Sequence, residues 1–152
     1  MSELPTGTVS LLFSDIEGST VLLSRLGPAY VDALDGQRSV LRAAWTAHGG
    51  TELGTEGDSF FVVFATAEGA LAAATQAQRE LDVYPWPAGD RVRVRMGIHT
   101  GSPIIHDRGY VGMDVHRAAR VASAAHGGQV LVSSATAALV RWCLPGGWGS
   151  VI

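Results

Sequence analysis

The sequence predicts an α+β fold in which one β-sheet is covered by helices mainly on one face. Short apolar runs with β-branched and aromatic residues alternate with longer stretches whose apolar residues recur at helical spacing. The resulting order of elements is β-α-α-β-β-α-β-(β)-α-β-α, for which a split βαβ, ferredoxin-like core is the natural architecture. At 152 residues the chain has the length of one domain, so residues 1–152 are assigned to a single domain.

The first third of the chain predicts a central strand followed by two helices. Thr8 to Ser14 is apolar enough for a strand that is buried on both faces. Thr20 to Leu26 is a short amphipathic helix, and Tyr30 to His48 is a longer one. The pair Gly49-Gly50 ends the second helix, because glycine is favoured just past a helix end.

The middle of the chain predicts a β-hairpin and then a third helix. Thr51 to Thr55 and Ser59 to Phe64 are two strands joined by the tight turn Glu56-Gly57-Asp58. Thr66 to Val83 is an alanine-rich helix that ends before a segment containing two prolines.

The last third predicts two further strands and two helices. Arg91 to His99 alternates arginine with apolar residues, which is typical of a strand with one wet face, and we expect its three arginines to be solvated. The remaining predicted elements are an extended segment Gly101 to Ile105, a turn at Asp107-Arg108-Gly109, a helix Asp114 to Ala125, a strand Gln129 to Ser133 and a short helix Ser134 to Trp142. The tail after Leu144 has no clear period, and the chain is expected to be short at its C-terminus.

Composition excludes several classes of protein. A net charge of −3 and a pI near 5.9 argue against binding nucleic acid through bulk charge. The single cysteine, Cys143, permits no disulfide within the chain, which fits a reducing compartment. The N-terminus lacks the features of a signal peptide, and no run of 18 apolar residues exists. We therefore expect a soluble cytoplasmic domain with neither a nucleic-acid nor a membrane partner.

The segment around Asp15 is the first candidate for chemistry. Asp15 lies where the apolar first strand opens into a turn, and Gly18, Ser19 and Thr20 follow at the start of a helix with backbone N–H groups that lack helical partners. A carboxylate beside a helix N-terminus can hold a divalent cation and a polyphosphate together. The alternative is that Asp15 and Ser19 are ordinary turn and N-cap residues.

A second carboxylate, Asp58, is predicted at the tip of the hairpin. If the hairpin lies beside the first strand, Asp58 and Asp15 approach one point. Two oxygen ligands, completed by phosphate oxygens and water, suit Mg²⁺, which keeps few protein ligands. With two metal ions, one can activate an attacking hydroxyl while the other neutralises a leaving phosphate. The alternative is a Gly-Asp pair selected for its turn geometry.

Four ordered motifs carry a resemblance to a known family. Together they resemble the class III nucleotidyl cyclases, particularly the actinobacterial type with Asp-Ile-Glu-Gly-Ser-Thr, over roughly Thr8 to Val132. The motifs are Phe13-Ser14-Asp15-Ile16-Glu17-Gly18-Ser19-Thr20, Gly57-Asp58-Ser59-Phe60-Phe61, Met96-Gly97-Ile98-His99-Thr100-Gly101, and Val111-Gly112 through Val115-His116-Arg117-Ala118-Ala119-Arg120.

The resemblance implies a catalytic domain that works as a head-to-tail homodimer, with active sites at the subunit interface. Each site converts a nucleoside triphosphate to a 3′,5′-cyclic nucleotide and pyrophosphate with two Mg²⁺ or Mn²⁺ ions. ATP is favoured over GTP because most relatives use it. The implied metal ligands are Asp15, Asp58 and the carbonyl of Ile16, and the implied phosphate cradle is the backbone of Gly18, Ser19 and Thr20. Arg120 would stabilise the transferring phosphate from the partner subunit, and His116 takes the position of an asparagine that orients the ribose.

The chain departs from the family at the base and at the triphosphate. The two positions that read the purine are occupied by Gly54 and Gly109, which have no side chain to hydrogen-bond a base, although Glu52 and Glu56 share strand parity with Gly54. All eleven cationic residues are arginine, so the lysine that often binds the triphosphate is absent, and the replacements considered are Arg108, Arg117 and Arg141.

Three alternatives to an ATP cyclase therefore stay open: a guanylyl cyclase acting on GTP, a weakly active or non-catalytic nucleotide-binding dimerisation module, and a nucleotidyl transferase with two carboxylates. The last does not explain the motif from His116 to Arg120.

Overall fold

A computed structural model describes residues 4–141 of the chain. Its strands are β1 (Val9–Ile16), β2 (Thr51–Glu56), β3 (Ser59–Phe64), β4 (Val94–Gly101), β5 (Ile104–His106), β6 (Gly109–Val111) and β7 (Val130–Val132). Its helices are α1 (Ser19–Leu26), α2 (Tyr30–Ala47), α3 (Ala67–Val83), α4 (Met113–Ala124) and α5 (Ser134–Val140), with short 3-10 turns at Gly27–Ala29 and Pro87–Gly89. The predicted tail after Leu144 lies outside the described residues.

The main sheet has five strands in the order β2-β3-β1-β4-β7. The apolar β1 lies at its centre and pairs antiparallel with β3 on one side and with β4 on the other. β7 pairs parallel with β4, and β2 pairs antiparallel with β3 at the opposite edge. β5 and β6 form a separate hairpin. The predicted α+β class and the central position of the first strand are confirmed.

The two faces of the sheet have different coverings. Leu12 and Ile16 of β1 pack into the large core under α2 and α3, to which α1 also contributes. Val9 and Leu11, which alternate with them, pack on the other face against Tyr110 and the α4 residue Ala118. Most of the helical cover thus lies on one face, as the sequence predicts, and α4 alone among the described helices crosses the other.

Hydroxyl side chains begin two of the helices. Thr66 precedes α3 and accepts a hydrogen bond from the Gly69 backbone N–H at 3.0 Å. Ser133 precedes α5 and accepts one from the Thr136 N–H at 3.3 Å. These N-caps explain why both helices begin within a residue of their predicted starts. Within residues 4–141 no helix is both long and apolar enough to cross a lipid bilayer.

A β-bulge in β2 corrects one expectation. The register shifts between Glu52 and Gly54, so that Glu52 pairs with Val62 whereas Gly54 pairs with Phe61. Directly paired residues point to the same side of a sheet, and Val62 and Phe61 point to opposite sides. Glu52 and Gly54 therefore lie on opposite faces, and their shared parity in the sequence is lost.

Candidate functional site

Asp15 and Asp58 lie at the same end of the central strand. β1 and β3 are neighbours, which brings the turn before β3 to the end of β1. The Asp58 carboxylate accepts a hydrogen bond from the Ile16 backbone N–H at 2.6 Å, and Asp15 is the residue just before Ile16. Two acidic side chains 43 positions apart in the sequence thus lie at one end of the central strand.

Arg95 is the residue that sequence analysis missed. It lies directly opposite Asp15 in the pairing of β1 with β4, and its Nε and Nη2 donate to the two Asp15 carboxylate oxygens at 2.7 and 2.5 Å. The hydrogen bond to Asp15 raises the pKa of Arg95, and the charges of Glu17 and Asp58 act in the same direction. The expectation that all three strand arginines are solvated is therefore wrong for Arg95. The cross-strand register decides this, and only strand pairing reveals it.

The donor set fits a hard divalent cation. The carboxylates of Asp15, Glu17 and Asp58 attract positive charge. One cation, the Arg95 guanidinium, already pairs with Asp15. Within residues 4–141 no three carboxylate, imidazole or thiolate groups are arranged so that they could hold a metal ion by themselves. A metal ion here would need further oxygen ligands from backbone such as the Ile16 carbonyl, from water or from a phosphate, which is how Mg²⁺ is usually bound beside nucleotides.

Helix α2 holds the turn that carries Asp58. The buried Gln37 side chain donates to the Asp58 carbonyl at 3.4 Å, and Arg38 Nη2 donates to the Gly57 carbonyl at 2.5 Å. Burial raises the pKa of Tyr30, and the charge of Asp58 adds to that shift. Gln37 and Arg38 of α2 therefore hold the backbone of the Gly57-Asp58 turn, and Tyr30 lies close enough to feel the charge of Asp58. No sequence motif marks them.

The start of α1 offers free backbone donors next to the carboxylates. Gly18 precedes the helix in the left-handed conformation, at φ 63°, and no side chain caps the helix. The first hydrogen bond back along the helix is from the Leu22 N–H to the Gly18 carbonyl at 3.0 Å. The amides of Ser19 and Thr20 precede the first helical donor, the Leu22 N–H, and are therefore open to an anion.

His116 and Arg120 lie on the exposed surface of α4, one helical turn apart. They line a shallow groove of about 410 Å³ together with Met113, Ala119 and Ser123. Neither side chain makes a hydrogen bond or ion pair with any other residue in the part of the chain that the structure describes. A single chain does not bring them into contact with Asp15 or Asp58.

The two predicted base positions lie on different sheets. A Cβ at Gly54 of β2 would meet no atom within 4 Å, and a Cβ at Gly109 of β6 would meet only the His106 carbonyl oxygen, at 3.7 Å. Gly54 pairs with Phe61, whose ring stacks on Phe13 at 4.3 Å between centroids. An open surface beside the stacked rings of Phe13 and Phe61 therefore lies on the same face of the sheet as Asp15.

Glu52 does not replace the missing base reader. Its carboxylate accepts from Arg42 Nε and Nη2 at 3.0 and 2.9 Å and also contacts the Thr55 hydroxyl. The hydrogen bond from Arg42 lowers the pKa of Glu52. Glu56 pairs with Ser59 and keeps the same face as Gly54.

Comparison with known proteins identifies relatives over nearly the whole chain. A family model described as the adenylate and guanylate cyclase catalytic domain matches residues 1–145. An uncharacterised Mycobacterium tuberculosis protein is 40% identical over 143 residues, which cover 93% of this chain and 48% of the relative. An adenylate cyclase of Podospora anserina is 34% identical over 165 residues, which cover 92% of this chain and 8% of the relative. The chain spans about half the length of the mycobacterial relative.

Solved structures give the same family. An adenylate cyclase from Trypanosoma brucei in its monomeric state superposes with a TM-score of 0.82 at 27% identity, covering 95% of this chain and 79% of that one. The monomeric guanylyl cyclase domain of a rhodopsin fusion protein from Blastocladiella emersonii also gives 0.82, covering 93% of this chain and 90% of that one, and at 22% identity it supports the fold alone.

Proposed function

Because the chain belongs to the adenylate and guanylate cyclase catalytic domain family, we propose that it converts a purine nucleoside triphosphate to a 3′,5′-cyclic nucleotide and pyrophosphate as a homodimer. The observation that carries this proposal is the meeting of Asp15 and Asp58 at one cation-attracting point beside the open N-terminus of α1. Carboxylates and free amides in this arrangement suit a metal-bound triphosphate.

The reaction is an in-line displacement at the α-phosphorus. The ribose 3′-hydroxyl loses its proton to solvent water, its oxygen forms a new bond to that phosphorus, and the bond from phosphorus to the bridging oxygen of pyrophosphate breaks. Asp15, Asp58 and the Ile16 carbonyl would hold two Mg²⁺ or Mn²⁺ ions. These ions, when bound, lower the pKa of the 3′-hydroxyl and neutralise the leaving group. The amides of Ser19 and Thr20 would donate to phosphate oxygens, so the protein mainly positions groups and balances charge.

Arg95 would supply the cation that the absent lysine would otherwise provide. Its guanidinium holds both carboxylate oxygens of Asp15, so it would have to release one of them before Asp15 could bind a metal ion. A released guanidinium would remain beside the candidate metal ligands, where it could bind a phosphate oxygen. Guanidinium binds phosphate oxygens in bidentate geometry, which makes Arg95 a better candidate than Arg108, Arg117 or Arg141.

Arg120 and His116 would act on the site of the partner subunit. Both are exposed, and neither has a hydrogen-bond or ion-pair partner among residues 4–141, so they are available to a second copy. The Arg120 guanidinium would stabilise negative charge on the transferring phosphate, and the His116 imidazole would hydrogen-bond the ribose.

The purine is the least determined part of the proposal. Gly54 and Gly109 leave the base without a side-chain hydrogen bond at either position. We favour ATP because the relatives named for an activity at 32–34% identity are adenylate cyclases. GTP is the alternative substrate.

The test is to incubate the purified protein with ATP or GTP and Mn²⁺ and to assay the cyclic nucleotide. We expect product, and we expect Asp15→Ala, Asp58→Ala and Arg120→Ala each to abolish turnover. Asp82→Ala and Arg91→Ala are matched controls, because these two residues form an exposed ion pair with each other rather than with Asp15 or Asp58. Absence of product from both nucleotides, in a protein shown to dimerise, would refute the enzymatic proposal.

Sharing of sites between subunits has its own test. An Asp58→Ala subunit lacks the metal half of a site, whereas an Arg120→Ala subunit lacks the other half. A heterodimer of the two has one site with both halves intact, so mixing the inactive variants should restore turnover. If no activity returns, each site is built within one chain.

A second candidate function is a non-catalytic nucleotide-binding dimerisation module. The ion pair of Arg95 with Asp15 favours it, because that pair occupies the carboxylate that a metal ion needs. It predicts that ATP or GTP with Mn²⁺ raises the thermal unfolding midpoint without product formation. The same samples used for the cyclase assay therefore distinguish the two functions.

A further inference from the structure

A buried hydrogen-bond chain joins α4 to the sheet and to α5, and the mechanism above does not use it. His99 Nε2 donates to Asp114 Oδ1 at 2.8 Å, and His99 Nδ1 lies 2.7 Å from the Ser133 hydroxyl. Because the carboxylate can only accept, the imidazole carries a proton on Nε2. His99 is only 3% exposed, so its ring is held in place from both sides.

The Asp114 carboxylate fits into a space that a glycine leaves open. A Cβ on Gly101 would overlap this carboxylate. The second carboxylate oxygen, Oδ2, accepts from the Ser102 backbone N–H at 3.0 Å. The hydrogen bond from His99 lowers the pKa of Asp114, which keeps the acceptor charged. Both oxygens of Asp114 are therefore bound to the end of β4.

A close contact between the backbones of α4 and β4 fixes the other end of the helix. A Cβ on Gly97 would overlap the backbone of Ala122, so α4 lies directly against β4 there. His116 and Arg120 lie between these two attachment points, on the opposite and exposed side of the helix. They follow Asp114 by two and six residues, or ~3 and ~9 Å along the helix axis. The position of Asp114 thus sets where both side chains lie.

We propose that Asp114 is a positioning residue, which anchors the start of α4 through His99 and Ser102 so that His116 and Arg120 reach the partner's site. This inference rests on the proposed function. A helix that shifts by a fraction of its pitch would carry both side chains with it. Misplacement of catalytic groups by ~1 Å can cost 10²-fold in rate.

The test uses Asp114→Ala in the full chain. We expect kcat to fall on the order of 10²-fold, with KM for the triphosphate and Mn²⁺ affinity within about twofold, because the metal half of each site is untouched. Asp32→Ala is the matched control, since Asp32 is an exposed acidic residue in the first turn of α2. Wild-type turnover of Asp114→Ala would overturn the proposal.

Gly101→Ala is the second variant. The added Cβ displaces the Asp114 carboxylate but leaves Asp114, His99 and Ser133 in the sequence, so the variant keeps the proposal testable if Asp114→Ala does not fold. We expect the same loss of kcat. Unchanged kcat in a folded Gly101→Ala protein would contradict the proposal.

Mixing experiments separate positioning from general destabilisation. Asp114→Ala mixed with Asp58→Ala should recover turnover, because one site then has an intact metal half and an intact α4. Asp114→Ala mixed with Arg120→Ala should stay inactive, since both sites lack a working α4. If Asp58→Ala with Arg120→Ala recovers turnover but Asp58→Ala with Asp114→Ala does not, the proposal is wrong. If neither mixture recovers, the shared site itself fails and this inference fails with it.

Discussion

At the scale of single residues, the Arg95 guanidinium occupies the position beside Asp15 that a metal ion would need. The ion pair is bidentate and partly buried, with side-chain exposures of 29% and 33%. An arginine stays charged over the whole physiological range, so pH cannot release it. Under the proposed function, a metal ion that competes for Asp15 and a phosphate group that binds the guanidinium would together release Arg95. Metal and triphosphate should therefore help each other to bind.

Arg95→Gln separates the two roles of this side chain. Without the competing guanidinium, Mn²⁺ alone should bind about 10- to 100-fold more tightly, since a hydrogen bond to a charged group is worth about 1.5–3 kcal/mol. The affinity for triphosphate should fall, because the neighbouring cation is gone. Calorimetric titration with Mn²⁺ and with a non-cyclising triphosphate measures both.

Arg91→Gln is the control for Arg95→Gln. Arg91 lies four residues before Arg95 in the chain, but it pairs with the exposed Asp82 of α3. Arg91→Gln should leave both affinities unchanged. Weaker binding of Mn²⁺ to Arg95→Gln than to the wild-type protein would contradict the competition between Arg95 and the metal ion.

At the scale of elements, the contact between β4 and α4 depends on two glycines of β4. Gly97 allows the backbone of Ala122 to approach, and Gly101 makes room for Asp114. Neighbouring β4 residues Met96 and Ile98 are fully buried on the opposite face, against the main core. β4 is thus closely packed on both faces, against the large apolar core on one and against α4 on the other.

Gly97→Ala should destabilise the fold by about 1–3 kcal/mol, the usual cost of forcing an extra carbon into a packed interior. Denaturant unfolding followed by circular dichroism measures the free energy of unfolding. Gly54→Ala is the matched control, because its new methyl group would enter open space. Equal free energies of unfolding for the two variants would show that α4 can move away from β4 without loss of stability.

At the scale of the whole molecule, the candidate groups divide into two sets that do not touch within one chain. Asp15, Asp58 and Arg95 lie at one end of the sheet, whereas His116 and Arg120 face outward from α4. Met113, an apolar residue that lines the same groove as His116 and Arg120, is 64% exposed. An exposed apolar side chain beside unpaired candidate groups suits a second copy of the chain.

Specific activity should therefore depend on protein concentration. If only dimers have complete sites, then far below the dissociation constant of the dimer a tenfold dilution lowers the specific activity by about tenfold. Initial rates across a dilution series, set beside sedimentation measurements of the dimer fraction, test this expectation. A specific activity that stays constant while dimers dissociate would mean that one chain is sufficient.

Most elements of this fold can be predicted from local patterns. Apolar periodicity distinguishes β1 from α2, and Thr66 and Ser133 indicate where α3 and α5 begin, because capping depends on residues close in the chain. Asp15 and Asp58 are also recognisable from sequence, since Asp15 lies near the end of an apolar strand and Asp58 precedes one in a tight turn. Family membership comes from the same ordered motifs.

The sequence by itself determined the α+β class, the order of the elements and the two candidate metal-binding aspartates, because short-range patterns encode each of them. Tertiary structure alone decided the partners of those residues. Arg95 faces Asp15 across 80 residues because of strand register, Glu52 turns away from Gly54 because of one bulge, and Asp114 reaches His99 because Gly101 leaves room. Register, bulges and close approaches arise from packing between distant segments, which no local pattern specifies.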